Sequence, residues 1–438
     1  MIVEHMTDLI GDTPLLKIPA EFTGLKNVDL YGKLEMLNPF GSVKDRVAWA
    51  MLRDDLNDIK EKQQTIFENS SGNTAKAIAA ICGMYNIPFK QVSAMMKVQE
   101  GRDVLHWLGA ELEEFAAASD CFDPSDPNDP QFLIEKAARE SGGKVYFTSQ
   151  FTNEKNPEVH EKTTAQEILS DLGEVDYLIS GLGTTGSTLG LIRAFKKSNK
   201  DFCAIGLVTK SGNMVPGIRS LDQMWESGLY NEGKYEHHHV IDERQALEAM
   251  KDLNTRLGLL CGPSAGANYA GALSYLKTID NDLSERKKAV FIVCDRMEWY
   301  LSYIKERMPE MFGEKPKPDS LFNFEYSEKD AHQIEGQNVI SFIAEAKPLI
   351  VDIRSPIAYE LHKVENSINI PIDIFEKLID NARPFPIGRP VLLICAVGEK
   401  TKRHSSYLRK QGYDAYSIVG GMLGVKQAGA DAASQNVS

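Results

Sequence analysis

Short apolar runs alternate with amphipathic stretches from residue 15 to residue 295. Residues 30–37, 65–68, 89–95, 145–147, 175–180, 203–208 and 289–294 are the apolar runs, and they read as strands. Residues 43–59, 75–85, 101–108, 132–140, 158–172, 189–195, 247–257 and 268–276 follow a helical period or are rich in Ala and Leu, and read as helices. A strand covered on both faces shows no polar alternation, and residues 203–208 and 289–294 show none. Strand and helix alternating in this way predict an α/β fold with an open, mostly parallel sheet and helices on both faces. In such a sheet the functional turns lie beyond the carboxyl ends of the strands.

The pattern breaks at residues 309–320, a charged, Pro-rich stretch with no apolar period. It divides a large domain, residues 1–308, from a smaller α/β unit at 332–428, with 309–331 as the linker. In the smaller unit residues 349–354, 367–370, 390–394 and 415–419 read as strands and 402–411 as a helix. Residues 120–130, rich in Asp and Pro, read as a surface loop, and the small polar tail 429–438 as disordered.

Composition narrows the class. The chain has 438 residues and is 42% hydrophobic and 25% charged, as expected for a soluble protein of two or three domains. A net charge of −13 argues against a general nucleic-acid binder, which needs a basic face. No apolar run is long enough for a membrane span, and the N-terminus lacks a basic segment followed by an apolar one. Cys82, Cys121, Cys203, Cys261, Cys294 and Cys395 form no CxxC pair, which points to buried thiols in a reducing, cytoplasmic setting. His237-His238-His239 reads as a strand start, because three consecutive side chains do not face one ion, so no metal site is expected.

Three turns carry candidate chemistry. Asn38-Pro39-Phe40-Gly41-Ser42-Val43-Lys44-Asp45-Arg46 is a turn that opens a helix and puts Lys44 in its first turn. A helix N-terminus disfavours a positive charge, which helps the neutral amine, and a neutral lysine forms Schiff bases. Gly183-Thr184-Thr185-Gly186-Ser187 follows an apolar strand and opens a helix, so its N–H groups and hydroxyls suit a phosphate. Ser264, in Gly262-Pro263-Ser264-Ala265-Gly266, is a helix N-cap or the partner of a pyridine nitrogen, or both. A Schiff-base lysine beside a phosphate cradle suggests pyridoxal phosphate. A hydroxyl on the ring nitrogen leaves a weak electron sink, which suits β-elimination and replacement.

Ile10-Gly11-Asp12-Thr13-Pro14-Leu15, residues 38–46, Ser71-Gly72-Asn73-Thr74, Gln150-Phe151 with Asn156-Pro157, residues 183–187 and residues 262–266 occur in that order. Together they resemble the cysteine synthase (O-acetylserine sulfhydrylase) family over roughly residues 5–305. The resemblance implies the type II, tryptophan synthase β-like fold of pyridoxal-phosphate enzymes with two open, mostly parallel sheets, and a homodimer. It implies that Lys44 forms the internal aldimine and moves the Cα proton, and that Asn73 bonds the ring hydroxyl. It further implies that Gly183, Thr184, Thr185, Gly186 and Ser187 hold the phosphate and that Ser264 meets the ring nitrogen. Ser70, Ser71, Asn73, Thr74 and Gln150 would bind the substrate carboxylate. The chain departs from the family at Asn69, Ser70, Phe40 and Thr185, and at Arg219, where a small residue is common. An Arg in that loop suits a second anion, and so O-phosphoserine rather than O-acetylserine as donor.

Val351-Asp352-Ile353-Arg354, Tyr359-Glu360, His362, residues 367–371, Cys395 to Lys400 and Gly420-Gly421 resemble a single rhodanese domain over residues 332–428. Cys395 ends a strand and opens a loop before a helix, a setting that stabilises a thiolate or persulfide. The family's Arg residues in that loop are replaced by Ala396 and Lys400, and Glu399 adds a negative charge. The combined expectation is β-replacement on an activated serine by a sulfur nucleophile (sulfide, persulfide or thiosulfate) to give cysteine, with Cys395 handling sulfane sulfur. The same residues leave open an amine or homocysteine nucleophile, giving diaminopropionate or cystathionine, and a C-terminal unit that binds or regulates without chemistry.

Overall fold

The computed structural model describes residues 2–427 apart from 71, 95, 97, 116–129, 211–212, 315–320, 322–323, 325 and 327–329. Ser71, most of the 120–130 loop, much of the 309–331 linker and the 429–438 tail therefore lie outside the described residues. The chain forms two compact units, one built from Met1–Glu114 with Pro130–Glu306 and the other following Arg307. No helix among the described residues is long and apolar enough to cross a membrane.

The first unit contains β1 (Leu15–Lys17), β2 (Val28–Lys33), β3 (Thr65–Asn69), β4 (Phe89–Ala94), β5 (Glu111–Phe115), β6 (Val145–Phe147), β7 (Tyr177–Gly181), β8 (Cys203–Thr209), β9 (His237–Ile241) and β10 (Lys287–Ile292). They form two sheets. The larger runs β1-β2-β10-β7-β8-β9, parallel except for β1, and the smaller runs β5-β4-β3-β6, with β3 parallel to both neighbours. The apolar periodicity predicts strands without assigning them to sheets, and the second sheet is what the family resemblance implies. Strands β7, β8 and β10 sit between helices on both faces, which is why they read as unbroken apolar runs.

Two predicted helices are interrupted. The stretch 43–59 divides into Lys44–Leu52 and Leu56–Glu61, because Asp55 takes hydrogen bonds from Tyr146 Oη (2.8 Å) and Lys155 Nζ (3.0 Å) at the break. The stretch 158–172 is helical from Lys155 to Leu172 but carries a π turn at His160–Thr164. The His237-His238-His239 run opens β9, where His238 Nε2 pairs with Tyr230 Oη at 3.0 Å.

The second unit is a parallel five-stranded sheet. Its strands are β11 (Gln333–Ile334), β12 (Leu349–Asp352), β13 (Ile368–Asn369), β14 (Val391–Ile394) and β15 (Ala415–Ile418), in the order β11-β15-β14-β12-β13. Leu392 and Ile394 face one apolar cluster, and Val391, Leu393 and Cys395 the other.

Candidate active site

The turn that carries Lys44 is fixed from both ends. Asn38 Nδ2 donates to the Glu35 carbonyl (2.9 Å) and carboxylate (3.0 Å), while its Oδ1 accepts from Gly11 N–H (2.9 Å). Gly41 has φ +87°, a left-handed conformation that favours glycine. Val43 N–H donates to the Cys294 carbonyl (2.8 Å), so the loop after β10 braces the turn. Asp45 closes it by accepting from Phe40 N–H (2.6 Å) and Ser42 Oγ (3.1 Å).

Arg46 anchors the helix behind this turn. Its guanidinium binds Glu35 (2.7 and 2.8 Å) and Glu167 (2.6 and 2.7 Å) in two forks. Among the described residues the Lys44 amine makes no hydrogen bond, and burial is the largest influence on it, pushing its pKa down. Cys294 and Asp295 pull it back up. Burial thus acts in the same direction as the helix N-terminus at which Lys44 sits.

The turn after β7 approaches the Val215–Ile218 loop closely. A Cβ on Gly183 would lie 2.5 Å from the Gly217 carbonyl, and a Cβ on Gly186 would overlap the Asn156 side chain. Asn156 Nδ2 donates to Thr184 Oγ1 (3.2 Å). Thr185 holds φ +64° with its buried hydroxyl unpaired, a strained setting for a β-branched residue. Ser187 lies in the first turn of the helix Gly186–Ser198.

The turn after β3 opens the helix Asn73–Tyr85. Ser70 Oγ accepts from Gly72 N–H (3.4 Å) and Ala75 N–H (3.3 Å). Thr74 Oγ1 donates to Gln150 Oε1 (2.6 Å), and Gln150 Nε2 donates to the Asn69 carbonyl (2.9 Å). Asn73 Nδ2 donates to Asp295 Oδ2 (2.6 Å) and Tyr300 Oη (3.1 Å), and Tyr300 Oη donates to the same carboxylate oxygen (2.5 Å). Asp295 is buried, and burial raises its pKa against the hydrogen bonds it accepts and the charges of Lys76 and Lys44.

Ser264 is the second residue of the helix Pro263–Ile279, whose N-cap is Gly262, so it is not the cap. Its hydroxyl is buried, and the group it faces is the Cys294 thiol, which also neighbours Lys44. Arg219 lies over the ring of Phe151 at 5.0 Å, and burial lowers its pKa to about 10. The structure thus brings Lys44, Asn73 and Ser264 together around Cys294 and Asp295.

Sequence reasoning missed Asp295 and Tyr300 as members of this site, and quoted Asn156 in a motif without giving it a role. Asp295 was legible in principle, since a carboxylate just beyond a buried parallel strand occupies the functional edge of the sheet.

In the second unit Cys395 directly follows β14 and is 6% exposed. Gly398 N–H donates to its sulfur (3.2 Å), and Thr401 Oγ1 lies 3.4 Å from it. Glu399 faces Lys402 (2.7 Å), which offsets its charge. Arg354 forks onto Asp352 and donates to the His362 carbonyl (2.6 Å), fixing the loop after β12.

Residues 6–295 match the family described as pyridoxal-phosphate dependent enzyme, and residues 337–428 match the rhodanese-like domain. Cysteine synthase B of Escherichia coli (strain K12) is 32% identical over 297 residues, spanning 67% of this chain and 93% of that protein. An O-acetylserine dependent cystathionine beta-synthase from Helicobacter pylori shares the fold with a TM-score of 0.59 at 26% identity, over 69% of this chain and 98% of that one. A hydrogen sulfide-producing enzyme from Fusobacterium nucleatum does so with a TM-score of 0.60 at 29% identity, over 68% of this chain and 100% of that one. The chain belongs to the pyridoxal-phosphate-dependent enzymes of the cysteine synthase type and carries a C-terminal rhodanese-like domain.

Proposed function

We propose that this enzyme replaces the leaving group of O-phosphoserine or O-acetylserine with a sulfur nucleophile to give L-cysteine, and that Cys395 handles the sulfane sulfur. The observation that carries the reading is the pair of polar groups that flank Cys294 with little else to bond. The buried hydroxyl of Ser264 has only the Cys294 thiol beside it, and the half-buried amine of Lys44 has no hydrogen bond among the described residues. Buried polar groups are rarely left unpaired, so a ligand that bonds an amine at one end and a ring nitrogen at the other fits them. The unpaired Thr185 hydroxyl, at the N-terminal end of the helix Gly186–Ser198, fits its phosphate.

Pyridoxal phosphate, when bound, supplies the electron sink for loss of the Cα proton and the β-leaving group. Lys44 holds the cofactor and then moves the Cα proton, since burial favours its neutral form. Asn73 orients the ring hydroxyl, and Ser264 meets the ring nitrogen. Ser70, Thr74 and Gln150 receive the substrate carboxylate at the N-terminal end of a helix, where N–H groups and the helix dipole favour an anion. Arg219 stacks on Phe151, the residue after Gln150, and so lies beside that same turn, where a phosphoryl group would meet it. The Cys395 sulfur, which takes a hydrogen bond from Gly398 N–H and lies beside the Thr401 hydroxyl, attacks the outer sulfur of thiosulfate as the thiolate and releases sulfite, and two equivalents of a small thiol then reduce the persulfide to the sulfide used in the replacement.

The test is a comparison of O-phosphoserine and O-acetylserine turnover in wild type and Arg219→Ala. The variant should lose phosphoserine turnover at least about tenfold more than acetylserine turnover, the value of one charge-assisted hydrogen bond. Equal losses would remove Arg219 and the phosphoryl donor from the reading. The similarity to a cystathionine beta-synthase favours homocysteine as a second nucleophile, and product analysis with sulfide against homocysteine separates the two.

A further inference from the structure

Glu68 lies on β3, two residues before Ser70, and its side chain is wholly buried. Its carboxyl reaches across to the segment that carries Gln150. Oε2 touches the Thr148 hydroxyl and takes Gln150 N–H at 3.4 Å. Between those two residues Ser149 holds φ +55°, a left-handed conformation that is strained in a non-glycine residue. One carboxyl oxygen therefore clamps both sides of a strained turn. Gln150 leaves that turn to meet the Thr74 hydroxyl (2.6 Å) and the Asn69 carbonyl (2.9 Å). Its own carbonyl accepts from Asn156 Nδ2 (2.9 Å), which also reaches Thr184 in the phosphate turn.

Glu68 has little to compensate a negative charge. Among the described residues no cation pairs with it, and its Oε1 is buried with no hydrogen-bond partner. Gln91, its register neighbour on β4, is uncharged and also has a buried side-chain oxygen without a partner. An ionised carboxyl in such a place is far costlier than a neutral one. The Thr148 hydroxyl has one proton and two acceptors in reach, Glu68 and the Phe67 carbonyl (3.1 Å). A neutral acid serves both, since its O–H donates to Thr148 Oγ1 and leaves the threonine proton for Phe67. We infer that Glu68 is a positioning residue for the substrate-carboxylate turn, a neutral acid whose bonds to Thr148 and Gln150 hold Gln150 against residues 69–74. The inference rests on the reading of that turn given above.

Neutrality also suits the ligand. A negative charge two residues from Ser70 repels the substrate carboxylate, and a neutral acid does not. Burial raises the pKa of Glu68 to about 8, against the hydrogen bonds from Thr148, Gln150 and Ser149. The groups that face it are uncharged: Thr148, Ser149 and Gln150 from the segment after β6, and Gln91 from β4. As pH rises through that value the clamp loses its donor, and the substrate carboxylate meets a like charge. The effect falls on binding, so KM rises while kcat is little changed.

The test uses the full-length holoenzyme, with O-acetylserine and O-phosphoserine as probes. KM, kcat and the melting temperature are followed from about pH 6.5 to about pH 8.5, a range that spans the Glu68 pKa. Wild-type KM should rise at least about threefold across it, within the scale of one hydrogen bond. Glu68→Gln, an uncharged isostere whose amide donates to Thr148, should keep the wild-type KM at the acid end and abolish the rise. Glu68→Leu, uncharged but with no donor, should raise KM about fivefold at every pH with kcat held. The infrared carbonyl stretch of a protonated acid should be present in wild type at neutral pH and lost in Glu68→Gln. A Glu68→Gln enzyme whose KM still rises with pH, or matches that of Glu68→Leu, would overturn the inference, as would the absence of that infrared difference. So would a Glu68→Leu enzyme with wild-type KM and only a lower melting temperature, the mark of a merely structural residue. If Glu68→Leu does not fold, Glu68→Gln and the infrared band decide. A wild-type holoenzyme that turns over neither ester would overturn the reading of the site itself, a separate result.

Discussion

Replacing Arg46 by Met tests how the Lys44 turn is held. The Arg46 side chain is 2% exposed, and its guanidinium makes four hydrogen bonds to Glu35 and Glu167 at 2.6–2.8 Å. Glu35 is wholly buried, so after the substitution only Thr13 Oγ1 (2.6 Å) and Asn38 Nδ2 (3.0 Å) face its carboxylate. Glu167 keeps Lys33 Nζ at 2.7 Å. Removing one partner of a buried ion pair costs about 3–5 kcal/mol. Methionine refills much of the stem, so the packing loss is small. Two stranded carboxylates against one retained lysine put the expected loss at about 4 kcal/mol, a large fraction of the stability of an ordinary domain.

The assay is urea unfolding followed by tryptophan fluorescence. All four tryptophans, Trp49, Trp107, Trp225 and Trp299, precede residue 307, so the signal reports the first unit alone. The midpoint should fall with m unchanged. Lys in place of Arg46 keeps a charge but loses the double fork, and should cost about half as much. There is also a pH signature. Burial opposes ionisation of Glu167, but the hydrogen bonds and charges of Arg46 and Lys33 outweigh it and hold its pKa at about 2. A folded pKa below the unfolded value contributes stability above the unfolded pKa, and loses it as pH falls through the folded one. The wild-type midpoint should drop between about pH 4 and pH 2, and Arg46→Met should lose much of that drop. A loss under about 1 kcal/mol with the acid drop intact would refute the argument, since it would leave the two forks without energetic weight.

Gly183→Ala puts a Cβ 2.5 Å from the Gly217 carbonyl, so the phosphate turn must shift; cofactor affinity, measured by equilibrium dialysis, should weaken at least about tenfold, or 1.4 kcal/mol. Gly421 has φ +55° and stands against the Cys395 carbonyl and Gly398 N–H. Gly421→Ala should abolish thiosulfate-dependent persulfide on Cys395, read by mass spectrometry, with the tryptophan-monitored transition unchanged. Cys395→Ser should lose persulfide labelling and thiosulfate-dependent cysteine while keeping sulfide-dependent cysteine; retained thiosulfate dependence would instead favour a binding or regulatory module. Burial pushes the Glu68 carboxyl up to about 8, against the hydrogen bonds from Thr148 and Gln150. A folded pKa above the unfolded one means stability falls as pH rises between the two, so Glu68→Gln should flatten the decline in urea midpoint from about pH 5 to pH 8.

The sequence by itself determined a good deal. Apolar runs with no polar alternation, each followed by a helix, are what parallel strands between helical layers require, so β7, β8 and β10 were legible from residue type alone. Glycine-bearing turns after such strands gave the Lys44, Asn73 and Gly183 turns, because local backbone demands are written in local residues. Other features came from tertiary structure alone. The interruption of the helix at Arg53–Asp55 depends on Tyr146 and Lys155, far away in sequence. The pairing of Asn73 with Asp295 joins residues 222 positions apart, and nothing near either one announces it. Of the two roles open to Ser264, the fold gives the cap to Gly262 and buries the serine hydroxyl beside the Cys294 thiol. Lys44 opens its helix as expected, and burial, which no local pattern announces, also lowers the pKa of its amine. Short-range pattern fixes which residues form strands and turns, whereas burial and long-range charge, which set the chemistry of those turns, exist only once the sheets have packed.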